Sequence, residues 1–384
     1  MEEQPTSTSD QHEAFTEDQQ AYVAAYLSTV EAKGFDFDRL VTEPSGLTHE
    51  EMHNIFAHPD LSGRALEVMV DIIKPEGSMY FDAIFGPNYG QRDVRHWLLP
   101  TMMENAFLQF RPTGPSIFMD DGEGGTSLDE WVMVAAMEDE EVFLGNGISV
   151  RRFRDGWMVD AIDVYDSAIS RTPPPPEMID PNAPPPPELP PYPVMNFKAV
   201  AEEQREPISD AARAWMLKRQ ASHAAGSDPA NTQPSGLTND ELHHLYSDPV
   251  AGMDFNLVAD MMHPTDSVYI DPIFGRFEGQ DAIRAWYTDI MGKVGDIRFE
   301  PLSKTIWNGE TSLHMFRQYA EPVAGEKIEM VWGFSVRKYR DGWIVYAADY
   351  FDTASMANPA MQSVGEAIGS SITLEDIMKY RAPG

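Results

Sequence analysis

The feature that most constrains this chain is its internal repetition. Pro44–Phe56 (PSGLTHEEMHNIF) answers Pro234–Tyr246 (PSGLTNDELHHLY), and Ser78–Trp97 (SMYFDAIFGPNYGQRDVRHW) answers Ser267–Trp286 (SVYIDPIFGRFEGQDAIRAW). Ser149–Ala168 (SVRRFRDGWMVDAIDVYDSA) answers Ser335–Ala354 (SVRKYRDGWIVYAADYFDTA). Three blocks in one order at nearly constant spacing mean a duplicated domain and not a shared motif. At 384 residues the chain is also longer than a single core usually grows. The 42% hydrophobic and 11% aromatic content is enough to fill two cores.

Between the copies runs Pro173–Pro193, with 12 prolines by count in PPPPEMIDPNAPPPPELPPYP. In a polyproline II conformation, at about 3.1 Å per residue, it would reach roughly 65 Å. Two readings stand: a tether, or a stiff strut lying along the surface. A ligand for proline-recognition modules is the lesser alternative. The expected layout is a disordered acidic N-terminus at 1–17, a first domain at 18–170, a linker at 171–206, a second domain at 207–355, and a tail at 356–384 with a short helix near Ile372–Arg381.

Charge and composition exclude several function classes. A formal charge of -34 opposes nucleic-acid and anionic-membrane partners by long-range repulsion. Its plainest role is solubility. The absence of cysteine removes disulfides, thiolate nucleophiles and Cys-based metal sites. The acidic, polar start lacks the basic and apolar regions of a secretion signal, and no apolar run approaches the roughly 18 residues of a membrane span. A cytoplasmic location is the expectation.

Within each copy the pattern reads as helices first and antiparallel sheet afterwards, an α+β domain. Thr48-His-Glu-Glu51 and Thr238-Asn-Asp-Glu241 are capping boxes that open helices. An earlier helix is expected near Asp18–Ala32 and Ser209–Ala225. Ile283, Trp286, Tyr287, Ile290 and Met291 recur at helical spacing and form an apolar stripe. Later segments alternate with period two around turns such as Asn308-Gly309 and Asp341-Gly342, which predicts hairpins.

Alternation along the last strand puts Trp343, Val345, Ala347, Asp349 and Phe351 on one face, and Trp157, Val159, Ala161, Asp163 and Tyr165 in the first copy. A carboxylate in an apolar row is costly to desolvate, and burial raises its pKa toward the range useful for proton transfer. The alternative is an acid bonded to amides or arginine. Tyr269 and Asp271 share a side of an earlier strand, as do Tyr80 and Asp82; the aspartate there reads either as a site acid or as a turn residue before Pro272. In Thr311–Ala320, Arg317 and Tyr319 fall on one face and His314 on the other. Leu128–Met137 of the first copy (LDEWVMVAAM) offers no arginine, so an inward-facing Arg317 would make the second copy the active one. His243, His244 and His314 are held in reserve. No metal-ligand spacing, phosphate loop or nucleophile motif is present, which leaves cofactor-free acid–base chemistry.

On these residues the chain resembles the nuclear transport factor 2-like, or SnoaL-like, superfamily over about 120 residues of each half. YIDPIFGRFEGQDAIRAW is similar to the acid-proline segment of ketosteroid isomerases and polyketide cyclases, which makes Asp271 the counterpart of the isomerase base. DGWIVYAADYFD resembles the closing strand of limonene-epoxide hydrolase, with Asp349 at its catalytic acid, Arg317 at its arginine and Tyr269 at its water-binding tyrosine. Tyr319 stands where the hydrolase has a second acid, so that relay is incomplete. Tyr246 falls near the isomerase's oxyanion tyrosine.

The resemblance implies two cone-shaped α+β barrels pairing within the chain, with further homo-oligomers an open expectation. Asp349, Asp271, Arg317 and Tyr269 are expected to be catalytic, with Tyr319, Tyr246, His314, Trp332 and Phe351 binding substrate. Asp163, Asp82 and Tyr80 are the first-copy equivalents. A bulky aromatic or polycyclic substrate is expected, such as a lignin-derived diaryl alcohol or a steroid, in a lyase or isomerase step needing no cofactor or metal. A hydrolase and a non-catalytic binding or assembly module are the rivals.

Overall fold

A computed structural model describes residues 15–33, 36–57, 65–105, 108–136, 141–168, 195, 197–201, 207–226, 231–248, 251–291, 293, 297–323, 326–354, 371 and 379. The chain divides into two compact units, Met1–Asp163 and Val164–Gly384. The proline-rich segment, the N-terminal residues before Phe15 and all of the expected tail helix but Lys379 lie outside the described residues. Among the described residues no helix is long and apolar enough to cross a membrane.

The first unit begins with α1 (Glu17–Lys33), α2 (His49–Ala57) and α3 (Ala65–Ile72). It continues with β1 (Met79–Asp82), β2 (Gly86–Tyr89), α4 (Gly90–Glu104) and β3 (Leu108–Pro112). Strands β4 (Ile117–Met119), β5 (Thr126–Ala136), β6 (Glu141–Arg154) and β7 (Trp157–Tyr165) complete it.

The second copy repeats this order. It has α5 (Asp210–Ala224), α6 (Asn239–Ser247), α7 (Phe255–Met261), β8 (Val268–Asp271), β9 (Gly275–Glu278) and α8 (Gln280–Trp286). Then come β10 (Ile297–Pro301), β11 (Ile306–Trp307), β12 (Thr311–Val323), β13 (Glu326–Arg340) and β14 (Trp343–Phe351).

Each sheet has seven strands and the same topology. The first runs β2-β1-β7-β6-β5-β3 with β4 also on β5, and the second β9-β8-β14-β13-β12-β10 with β11 also on β12. All pairings are antiparallel except β1 with β7 and β8 with β14. Those parallel pairs bring the two acid-bearing strands of each copy side by side.

The local signals explain these elements. Thr238 Oγ1 accepts from the Glu241 amide at 3.2 Å while Glu241 Oε2 accepts from the Thr238 amide at 3.0 Å, the reciprocal cap that starts α6. Thr48 and Glu51 do the same for α2. Asp341 and Gly342 both have positive φ (53° and 78°), as the two-residue turn between β13 and β14 requires. Asp155 and Gly156 repeat it at 53° and 77°.

The predicted stripe of α8 is buried at Ile283, Trp286, Tyr287 and Ile290. The helix does not stay α, however, because Tyr287–Met291 is a π-helical turn. Thr288 Oγ1 donates back to the Arg284 carbonyl at 2.7 Å and to that of Ala285 at 3.2 Å, competing with the backbone ladder where it widens.

Behind the helices, buried Asp260 is held by Arg219 and Arg284, and Asp71 by Arg95 and Arg39 in the first unit. These clusters join α5, α7 and α8 in the second unit, and α3, α4 and the segment carrying Arg39 in the first.

Candidate active site

In the second unit the ladder decides which side chains meet. Ser335 is the Cα partner of Asp349, and Arg337 of Ala347. Partners in a ladder share a face, so Ser335, Arg337, Ala347 and Asp349 lie together. Tyr269 of β8 is the partner of Ala347 and joins them. One step beyond the Ala348–Ile270 pair, the same register sets Asp271 beside Asp349.

Asp349 accepts hydrogen bonds from the Tyr269 hydroxyl, from Ser335 Oγ at 2.5 Å and from Arg337 Nη2 at 2.8 Å. Together they outweigh desolvation and hold its carboxyl below the usual range, with the Arg337 charge the largest lowering cause. Arg337 is 2% exposed. Its guanidinium donates to the Val336 and Ala348 carbonyls, each at 2.8 Å, and to the Tyr246 hydroxyl at 2.6 Å. It also lies 4.5 Å from the Tyr246 ring centroid. Both terminal nitrogens of this buried cation are bonded, while its Nε is buried without a partner among the described residues.

Asp271 behaves oppositely. It is buried, and desolvation pushes its carboxyl up to about 7 even though Oδ1 accepts from the amides of Ile273 (2.8 Å) and Phe274 (3.0 Å). The nearby charge of Asp349 raises it further. The two readings of this aspartate are therefore compatible, because a turn acid sits next to a second acid.

Tyr287, on the π-helical turn, packs at 5.5 Å from Tyr269 and interacts with Tyr246 as well. Phe316, Val331 and Phe351 form an apolar cluster on the same inner face, joined by Ile273 and Phe299. His314 carries a ring whose pKa burial lowers to about 4, and its Nδ1 is buried without a partner among the described residues. His243 is buried, stacked 12° from parallel on Trp307, and bonded through Nδ1 to the Tyr339 hydroxyl at 3.1 Å. His244 pairs with Asp240 at 3.4 Å on the helix surface.

Three expected residues are elsewhere. Arg317 does not reach Asp349; its guanidinium is paired to Glu300 and, at 3.2 Å, to Glu329. Tyr319 lies under the Lys327 ammonium, 4.6 Å from the ring centroid. Trp332 is the ladder partner of Arg317 and meets Phe197 edge-on at 4.9 Å. These three share the face opposite His314 and Ser335. The arginine expected at the acid is thus Arg337 and not Arg317. Its signal was the Ser-Val-Arg that opens the third repeated block.

The first unit keeps the frame and changes the charges. Asp82 and Asp163 are direct ladder partners. Asp163 accepts from Tyr80 and from Ser149, each at 2.6 Å, and Ser149 in turn accepts from Trp131 Nε1 at 2.8 Å. Arg151, the counterpart of Arg337, pairs with Asp129. Desolvation then dominates at Asp163 and raises its pKa. Phe56 and Leu98 stand where the second copy has Tyr246 and Tyr287.

A hollow of about 390 Å³ lies against Asn239, Glu310, Tyr339, Asp341 and Val345, at the hairpin end of β14. Val345 is four strand residues from Asp349, roughly 13 Å. The hollow is separate from the acid pair.

Residues 244–347 match the family model of a SnoaL-like domain. No curated protein matches the chain. Among solved structures, a hypothetical protein of ketosteroid isomerase-like fold from Catenulispora acidiphila, in complex with trimethylamine, is 16% identical. That match covers 33% of this chain and 95% of the other at a TM-score of 0.27. An LEH-like epoxide hydrolase of M. tuberculosis is 18% identical over 33% of this chain and 90% of its own, with a TM-score of 0.27. A putative polyketide cyclase from Sinorhizobium meliloti is 19% identical over 28% and 93%, with a TM-score of 0.23.

Proposed function

We propose that the second half, whose residues 244–347 match a SnoaL-like domain, is an acid–base catalyst acting on a bulky, mostly apolar aromatic or polycyclic molecule by a lyase or isomerase step. The observation that carries this reading is the pair of neighbouring carboxyls shifted in opposite directions, Asp349 down and Asp271 up to about 7. Environments that push two acids apart assign them different roles.

In this reading Asp271 moves the proton, because a group titrating near neutrality exchanges it most efficiently. Both amide bonds to Asp271 fall on Oδ1, so Oδ2 takes and returns the proton. Asp349 stays ionised and fixes Tyr269, Ser335 and Arg337 around it. Tyr246 accepts from Arg337 and is thereby polarised to donate its own proton toward an oxygen on which charge develops. Phe316, Phe351 and Ile273 offer the apolar contact for the ring system.

Screening aromatic and polycyclic alcohols, ketones and epoxides against the full chain tests the proposal. Turnover should fall in both Asp349→Asn and Asp271→Asn; full turnover in both variants contradicts the assignment. Oxygen-18 from water appearing in the product would mark a hydrolase instead, and capture of ligand without product a binding module.

A further inference from the structure

Arg337 and Arg151 occupy the same place in their sheets and hold different acids, and the position facing the neighbouring serine differs between the copies. On β12 the Cα partner of Ser335 is His314; on β5 the partner of Ser149 is Asp129. Asp129 is itself held by Ser116, and it takes the Arg151 guanidinium. In the second copy the same seat holds an imidazole, and Arg337 bonds to Asp349 at 2.8 Å.

We infer that His314 is a positioning residue: an uncharged side chain in the Asp129 seat leaves Arg337 to Asp349 and so decides in which copy the arginine bonds the strand acid. The groups that act on His314 are Arg337 from β13, Asp349 from β14 and His243 from α6. Burial and the guanidinium keep its ring neutral, which the role requires. At Asp129 the corresponding surroundings are Arg151, Ser116, His53 and Asp163. A carboxylate placed in either seat competes for the arginine, because a buried guanidinium gains most from the nearest anion that can bond it.

The inference rests on the acid–base reading only for its consequence in turnover. Its test reads carboxyl protonation directly, so the two fail separately. In the full-length chain labelled with carbon-13 at aspartate carboxyls, His314→Asp should raise the titration midpoint of Asp349 by about 1–3 pH units. His314→Asn, which is uncharged, should leave that midpoint in place. The reciprocal Asp129→Asn should lower the midpoint of Asp163 as Arg151 turns to it. If His314→Asp does not fold, the Asp129→Asn arm decides alone. An unmoved Asp349 in folded His314→Asp, or an unmoved Asp163 in Asp129→Asn, overturns the inference.

Discussion

The two halves place the same tyrosine, serine and aspartate in the same corner of the same sheet, yet the aspartates behave in opposite ways. In the second half Asp349 has Tyr269, Ser335 and Arg337 as donors, and the guanidinium holds it ionised. In the first half Asp163 has Tyr80 and Ser149, while Arg151 pairs with Asp129, and burial raises the acid. A duplicated fold therefore does not duplicate a site. The difference lies in who shares the arginine.

The largest expected effect tests whether that difference matters for chemistry. Asp349→Asn should lower turnover by about 10²–10⁴-fold, the usual worth of a positioned acid–base group and its partners. Asp163→Asn should leave turnover intact, since Arg151 pairs with Asp129 and leaves Asp163 outside an arginine-held pair. Equal losses in steady-state assays would erase the proposed inequality of the two halves.

Removing the cation comes next. Arg337→Met strands a buried carboxylate and should cost about 3–5 kcal/mol in urea unfolding at neutral pH. The loss should shrink in acid, where Asp349 protonates. Asp349 has a depressed folded pKa, so its contribution is present above the unfolded value of 3.8 and is lost as pH falls below it.

Asp271 gives the opposite slope. Its pKa is raised from 3.8 to about 7, so the folded state binds more protons between those values. Stability should fall as pH rises from about 4 to about 7, by at most about 4 kcal/mol. Thermal unfolding across that range should show the slope in the native chain and a shallower one in Asp271→Asn, where the raised Asp163 and Asp352 carboxyls still contribute. A slope that the substitution leaves unchanged would place the titrating group elsewhere.

The smallest effect sharpens the comparison in the core. In the second half the Tyr339 hydroxyl lies 3.1 Å from His243 Nδ1 and 3.4 Å from Ser312 Oγ. In the first half the tyrosine is Phe153, and His53 Nδ1 and Ser127 Oγ are buried without partners among the described residues. Phe153→Tyr should stabilise the first domain by about 1 kcal/mol in differential scanning calorimetry, and Tyr339→Phe should destabilise the second by as much.

The duplication, the capping boxes and the Asp-Gly hairpins were legible because each depends on local chemistry that repeats in the sequence. Alternation correctly put Arg317 and Tyr319 on one face of β12 and His314 on the other. It could not say which face looks inward. That is set by pairing with β13 and β14, where the ladder slips by one residue between Lys338 and Tyr339. Counting back from the Asp341-Gly342 turn without that bulge would set Arg337 opposite Tyr346, on the face away from Asp349. One extra residue hid the arginine that matters. The other difference was in plain view, since Tyr246 and Tyr287 stand against Phe56 and Leu98 in the aligned copies.

The central claim is that the carboxyls of the two strand acids are shifted in opposite directions by the placement of one arginine in each domain. Carbon-13 NMR titration of the Asp349 and Asp163 carboxyls in the unaltered protein tests it most directly. Asp349 should titrate below an ordinary aspartate and Asp163 above it. Midpoints displaced in the same direction would contradict the account.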